Sequence, residues 1–342
     1  MRAFITGLAG PALTPAERQF VKEADPWGLI VFRRNIESPE TLRRLIGEFR
    51  GSVGRVAPVL VDQEGGRVQR LGPPDWPAYP PGAAYGALFE RDRHLGLAAA
   101  RLGGRLIAAD LEAVGIDVNC APVADVPAPG SDPIIGDRAY GTEARKVAAI
   151  AGEFAAGLLE GGVLPVIKHL PGHGRATADS HERLPLVGTD RATLESTDFA
   201  AFRPLAALPL GMTAHVVFTA LDPIAPATTS PNIVRNVIRD SIGFGGLLLT
   251  DDVSMGALSG SIDERSRAAL TAGCDMVLHC NGKLSEMEAI AAAVPELAGE
   301  SAARAAAALA LRKSPPAIDI AAARAEFFRL MADTWRPAQV SA

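Results

Sequence analysis

The chain has 342 residues, carries a formal charge of -5, and is 48% hydrophobic and 21% charged. That balance belongs to a folded globular chain and excludes the disordered and fibrous classes. The negative charge and the lack of a basic stripe also argue against nucleic acid or an anionic membrane surface as a partner.

From the N-terminus, Ala3–Gly7 reads as a first strand. Gly and Pro break this apolar run before a signal-peptide core can form, and no run approaches the ~20 apolar residues of a membrane helix. Three cysteines, Cys120, Cys274 and Cys280, are too few and too scattered for a disulfide framework or a zinc site. Their odd number suits a reducing compartment, so a cytoplasmic protein is expected.

Further strands are expected at Gly28–Phe32 and Pro58–Val61, the second running into Asp62-Gln63-Glu64-Gly65-Gly66-Arg67-Val68-Gln69-Arg70. Gly65-Gly66 allows backbone angles closed to other residues, and so a tight turn beside a ligand. Asp62 and Arg70 offer an acceptor pair and a donor fork suited to sugar hydroxyls, although a plain surface ion pair would look the same. The Pro-rich stretch Gly72–Gly82 is a long loop, and His94 lies in a charged helical stretch, where it reads as a surface residue. After the strand Ile116–Asn119 come a second loop, Pro127–Pro133, and the turn Ile135-Gly136-Asp137-Arg138-Ala139-Tyr140-Gly141, which alone signals little.

The most informative segment follows the strand Leu164–Ile167: Lys168-His169-Leu170-Pro171-Gly172-His173-Gly174, then Asp179-Ser180-His181. A buried strand that ends in Lys-His and opens into a Gly-rich loop builds a site, not a core. Asp179 can hydrogen-bond to His181, fix its tautomer and raise its pKa, making a general acid/base, or His181 is a solvated loop histidine. His173, flanked by glycines, reads as a loop-shaping group. The remaining strands are Leu210–Ala214, Gly246–Thr250 and Asp275–Leu278. Thr250 leads into Asp251-Asp252-Val253-Ser254-Met255, where one acid suits a helix N-cap and the other projects from the strand end. The Ala-rich tail from Leu284 reads as helices without chemistry.

Eight strands alternating with helical segments imply an α/β fold, a single (β/α)8 TIM-type barrel over 1–342 with helices from about 284–342 packed outside. Asp62, Asn119, Lys168, His169, His215, Asp251 and His279 all fall at or just past strand ends. That is the active face of such a barrel, although an open doubly wound sheet places ligands similarly.

Taken together, these segments resemble glycoside hydrolase family three in its short single-domain form, from roughly Gly28 to Gly282. The Lys-His and Asp-x-His block resembles the family's β-N-acetylhexosaminidase branch, which removes N-acetylglucosamine from muropeptides during peptidoglycan recycling. The resemblance implies that Asp251 is the nucleophile, His181 the general acid/base and Asp179 its partner. It also implies that Asp62, Arg70, Arg138, Lys168 and His169 bind the sugar. Gln63 stands where many members have His, and Leu170 where many have Phe, departures that bear on substrate detail.

The expected reaction is retaining hydrolysis through a covalent glycosyl-enzyme, with a histidine where most such enzymes use a second carboxylate. A phosphorylase is the alternative. A metal-dependent barrel hydrolase is disfavoured, because His169 and His173 span Pro171-Gly172 and so cannot share a helix face. The expected partner is a small carbohydrate or muropeptide, with the protein monomeric and without metal or cofactor.

Overall fold

Short aliphatic runs bounded by Gly, Pro or a charged residue supply the strands, and capping signals start the helices between them. The computed structural model describes residues 1–180 and 183–336. Its strands are β1 (Arg2–Thr6), β2 (Pro26–Val31), β3 (Val59–Val61) and β4 (Val118–Asn119). They continue as β5 (Leu164–Leu170), β6 (Leu210–Thr213), β7 (Leu247–Asp252) and β8 (Met276–His279). All eight pair in parallel with their neighbours in chain order. β1 meets both β2, with Ile5 opposite Gly28, and β8, with Ile5 opposite Leu278. This double pairing closes the barrel that the strand count suggested.

Side chains alternate along each strand, so every strand feeds two cores. Ile5, Leu60, Val166, Met212, Leu249 and Leu278 belong to the cluster that fills the barrel. Phe4, Val59, Val61, Ile167, Leu248 and Val277 join the larger cluster between strands and helices. Helix starts are written locally. Thr14 caps Pro15–Ala24 in a reciprocal box with Glu17, and at the start of Ile262–Ala272 the Glu264 carboxylate accepts the Ser261 N–H at 2.9 Å. Helices Arg93–Glu112 and Ala144–Glu160 cross so closely that a Cβ on Gly157 would lie 2.0 Å from the Arg101 carbonyl oxygen. Among the described residues, no helix is long and apolar enough to cross a membrane.

The tail takes three positions. Leu284–Ala293 packs beside Ile262–Ala272, and Ile320–Met331 lies on Arg93–Glu112. Gly299–Ala310 crosses the strand starts instead, with Ala305 and Ala308 in the barrel-filling cluster. It is fastened there by Asp275, only 2% exposed, which leads into β8. Asp275 accepts from Arg304 at 2.9 Å, Ser301 Oγ at 2.6 Å, Arg239 at 2.7 Å and the Leu248 N–H at 2.9 Å.

Removing one partner of a buried ionic cluster strands the others. Asp275→Ala is therefore expected to lower stability by about 3–5 kcal/mol. Arg304→Ala, which removes a more exposed partner, should cost about 1 kcal/mol or less. Chemical denaturation of both variants checks this, and equal losses would show that Asp275 is not the hub.

Candidate active site

The polar strand ends converge on a cavity of about 290 Å³, lined by Asp62, Arg70, Arg138, Lys168, His169 and Asp251 among others. Two strand irregularities aim the side chains. Consecutive strand residues ordinarily face opposite ways, yet Lys168 with His169, and Asp251 with Asp252, all line the cavity. The register slips between Ile167 and Leu170 on β5, and between Leu249 and Asp252 on β7. Bulges of this kind turn side chains toward a site.

One wall is a network of buried charges. The Lys168 ammonium, whose side chain is 3% exposed, donates to Asp62 at 2.9 Å and lies 2.7 Å from Glu64. Arg138 grips Glu64 with two parallel bonds of 2.8 and 2.9 Å, and Arg70 reaches Asp62 at 3.1 Å. Burial acts to raise both carboxyls. Lys168 with Arg70 more than offsets it at Asp62, and Arg138 with Lys168 does so at Glu64, so both are held well below the usual range, Glu64 at about 2. Burial likewise acts against the charge of Lys168, but Asp62 and Glu64 win and hold the ammonium on. Gly65 and Gly66 supply the expected tight turn, with φ of 101° and 57°, and a Cβ on Gly65 would lie 2.2 Å from the Pro80 oxygen.

A second wall is built on Asp125, which is fully buried. One carboxylate oxygen accepts from His169 Nδ1 at 2.7 Å, and the other accepts the His173 N–H at 2.6 Å and the His169 N–H at 3.2 Å. A carboxylate only accepts, so Nδ1 of His169 carries the proton and Nε2 is left for a ligand. The His173 ring stands edge-to-face with His169, 5.7 Å between centroids. Burial and repulsion from His169 push His173 down to about 4, so its ring is neutral.

The two adjacent acids divide their work. Asp252 accepts from the Ser254 N–H at 3.0 Å, Ser254 Oγ at 2.7 Å and the Cys280 N–H at 3.1 Å. It is the capping member of the pair, but it caps the turn after β7, while Ser261 stands at the N-cap of the helix that follows. Asp251 accepts the Asp252 N–H at 2.8 Å and faces the cavity. Burial acts to raise its carboxyl, yet His215, His169, that N–H and Lys168 together hold it below the ordinary carboxylate range. His215 Nε2 donates to the Asp252 carbonyl at 3.0 Å, and its Nδ1 lies 2.7 Å from Thr228 Oγ. Burial lowers the pKa of His215, against the pull of Asp251.

Asp62, Arg70, Arg138, Lys168, His169 and Asp251 are thus brought together. Ser180 also lines the cavity, and its neighbour Asp179 is half-buried. His181 lies outside the described residues. Gln63 and Leu170 do not line the cavity. Gln63 instead ties the turn, accepting from the N–H groups of Arg70 and Leu71. Glu64, Asp125 and His215 have site contacts to which the sequence reading gave no role. Three signals pointed to them: Glu64 shares a face with Asp62 on an extended chain, Asp125 is a charge set in the apolar run Ala121–Val126, and His215 stands just past a strand end. Among the described residues, no group of three or more His, Cys, Asp or Glu forms a metal site.

A family model described as the glycosyl hydrolase family 3 N terminal domain matches residues 8–310. A protein named beta-hexosaminidase from Alkalilimnicola ehrlichii is 39% identical over 279 residues, covering 80% of this chain and 79% of that one. One of the same name from Aromatoleum aromaticum is 36% identical over 316 residues, covering 91% and 87%. Among solved structures, NagZ from Neisseria gonorrhoeae in complex with N-trifluoroacetyl-D-glucosamine is similar with a TM-score of 0.84 at 30% identity, covering 97% of each chain.

The charge network gives a test in acid. A carboxyl whose pKa is lowered by folding stabilises the protein above its unfolded value, and that contribution is lost as pH falls through the folded value. Glu64→Gln should cost about 3 kcal/mol at neutral pH. The gap to the parent should shrink as pH drops from 4.5 toward about 2. Denaturant titrations across this range provide the measurement, and a gap independent of pH would mean that Glu64 is not held as the anion.

Proposed function

This chain belongs to glycosyl hydrolase family 3, and from that premise we propose that it is a retaining β-N-acetylhexosaminidase acting on muropeptides. Its substrate would be terminal N-acetylglucosamine linked to a 1,6-anhydro-N-acetylmuramyl peptide. The names of its relatives support the glycosidic specificity, as does the N-acylated glucosamine bound by the Neisseria gonorrhoeae protein.

One observation carries the reading: of two adjacent acids on β7, one is bonded into its turn and the other is held ionised at the cavity. A carboxylate nucleophile must be ionised and aimed at the substrate, and Asp251 meets both needs. In the first step an Asp251 oxygen forms a bond to the anomeric carbon as the glycosidic C–O bond breaks. His181, oriented by Asp179, gives its proton to the departing oxygen. In the second step His181 takes a proton from water, the water oxygen attacks the anomeric carbon, and Asp251 leaves as the carboxylate. Asp62, Arg70, Arg138 and Lys168 form a charge-assisted hydrogen-bonding wall for the sugar hydroxyls. His169 adds a ring nitrogen whose tautomer Asp125 fixes.

Asp251→Ala is expected to abolish turnover of an aryl β-N-acetylglucosaminide without lowering the melting temperature. Activity retained on an activated substrate would move the role to another group. The parent should hydrolyse this substrate and leave the matching aryl β-glucoside nearly untouched, whereas equal kcat/KM on both would overturn the specificity. General acid catalysis contributes ~10²–10⁴ in rate, and only a poor leaving group needs the proton. His181→Ala should therefore lose far more on poor leaving groups than on activated ones. A uniform loss would remove His181 from that role.

A further inference from the structure

The loop after β5 is seated by its first half. The Gly174 carbonyl accepts the Ala128 N–H at 3.1 Å, and the Ala176 carbonyl accepts the Asp132 N–H at 2.8 Å. Gly174 lies so close to the Val126 backbone that a Cβ there would come within 2.2 Å of the Val126 oxygen. Arg175 bonds the buried Asp198 at 2.6 Å and Thr197 Oγ at 2.9 Å. These contacts place residues 174–176, several positions short of the proposed acid/base pair.

The second half has its own fastening at Ser180, which is 3% exposed. Its hydroxyl lies 3.1 Å from His173 Nε2, and its carbonyl accepts the Ala257 N–H at 3.2 Å. His173 is held in turn through its N–H on Asp125, the carboxylate that also orients His169. Ala257 belongs to the loop that begins with the Asp252-capped turn. One chain of contacts therefore runs from Asp125 through His173 to Ser180, and on to the segment that follows Asp251.

We propose that His173 and Ser180 are positioning residues whose mutual hydrogen bond fixes the acid/base loop relative to Asp251. This rests on reading Asp179 and His181 as the acid/base pair, because Ser180 sits between them. A neutral imidazole has one donor and one acceptor nitrogen, and the Ser180 hydroxyl can satisfy either. Both groups are buried, so the bond is shielded from competing water. A displacement of ~1 Å at a proton-transfer site can cost ~10²-fold in rate, and the loss should appear where proton donation limits.

The test measures kcat/KM over a series of aryl β-N-acetylglucosaminides of rising leaving-group pKa. Ser180→Ala should lose about tenfold or more on the poorest leaving groups and far less on the best. Ser180→Thr keeps the hydroxyl and should restore most of the loss. His173→Ala should show the same tilt, and the double variant should be little worse than the poorer single one. A uniform loss across the series, failure of Thr to rescue, or fully additive losses would overturn the proposal. If His173→Ala fails to fold, the Ser180 pair still decides it. His181→Ala is run alongside: if it shows no tilt, the acid/base reading falls. If it shows the tilt and Ser180→Ala does not, only the positioning role falls.

Discussion

A lysine ammonium buried at the end of β5 is the constraint around which the site is arranged. Removing such a charge from water costs several kcal/mol unless anions replace the hydration. Asp62 and Glu64 provide them, 2.9 and 2.7 Å away. Those two acids then need cations of their own beyond what Lys168 offers, and Arg70 and Arg138 supply these. The segment after β3, the turn at 136–138 and the end of β5 are thereby locked to one another. Within that frame, donors and acceptors stand at fixed places before any ligand arrives, which suits recognition of a rigid polyol.

The opposite wall follows the same logic with less charge. Asp125 spreads its carboxylate over the His169 ring and the backbone N–H groups of His169 and His173. It thereby sets a tautomer at His169 and a position at His173. The two walls meet at Asp251, whose ionised state draws on both, through Lys168 and His169, and on His215 behind it. The charge state of Asp251 is thus a property of three neighbouring strands.

The bulges on β5 and β7 explain how so many groups reach one cavity. A regular strand would send alternate residues to the outer helices, and half of the site would lie in the apolar layer. Slipping the register at Lys168-His169 and at Asp251-Asp252 lets both members of each pair line the cavity. The second member then becomes useful: His169 presents a ring nitrogen, and Asp252 braces the turn that its neighbour leaves behind.

Strand positions, the placing of polar residues at strand ends and the glycine turn at 65–66 were legible in the sequence, because each depends on neighbours within a few residues. The pairing of Asp62 with Arg70 was legible for the same reason, at a separation of eight. Closure of the barrel was expected from the count of eight strands, and the pairing of β1 with β8 bears it out. The partners of Glu64 and Asp125, which lie 74 and 44 residues away, were not legible. Which of two adjacent aspartates is bonded into its turn was likewise beyond local pattern, because one of the bonds that hold Asp252 comes from the Cys280 N–H just past β8. The sequence by itself determined which chemical groups stand at the strand ends. The tertiary structure decided their charge state and their partners, because both depend on burial and on contacts between segments far apart in the chain.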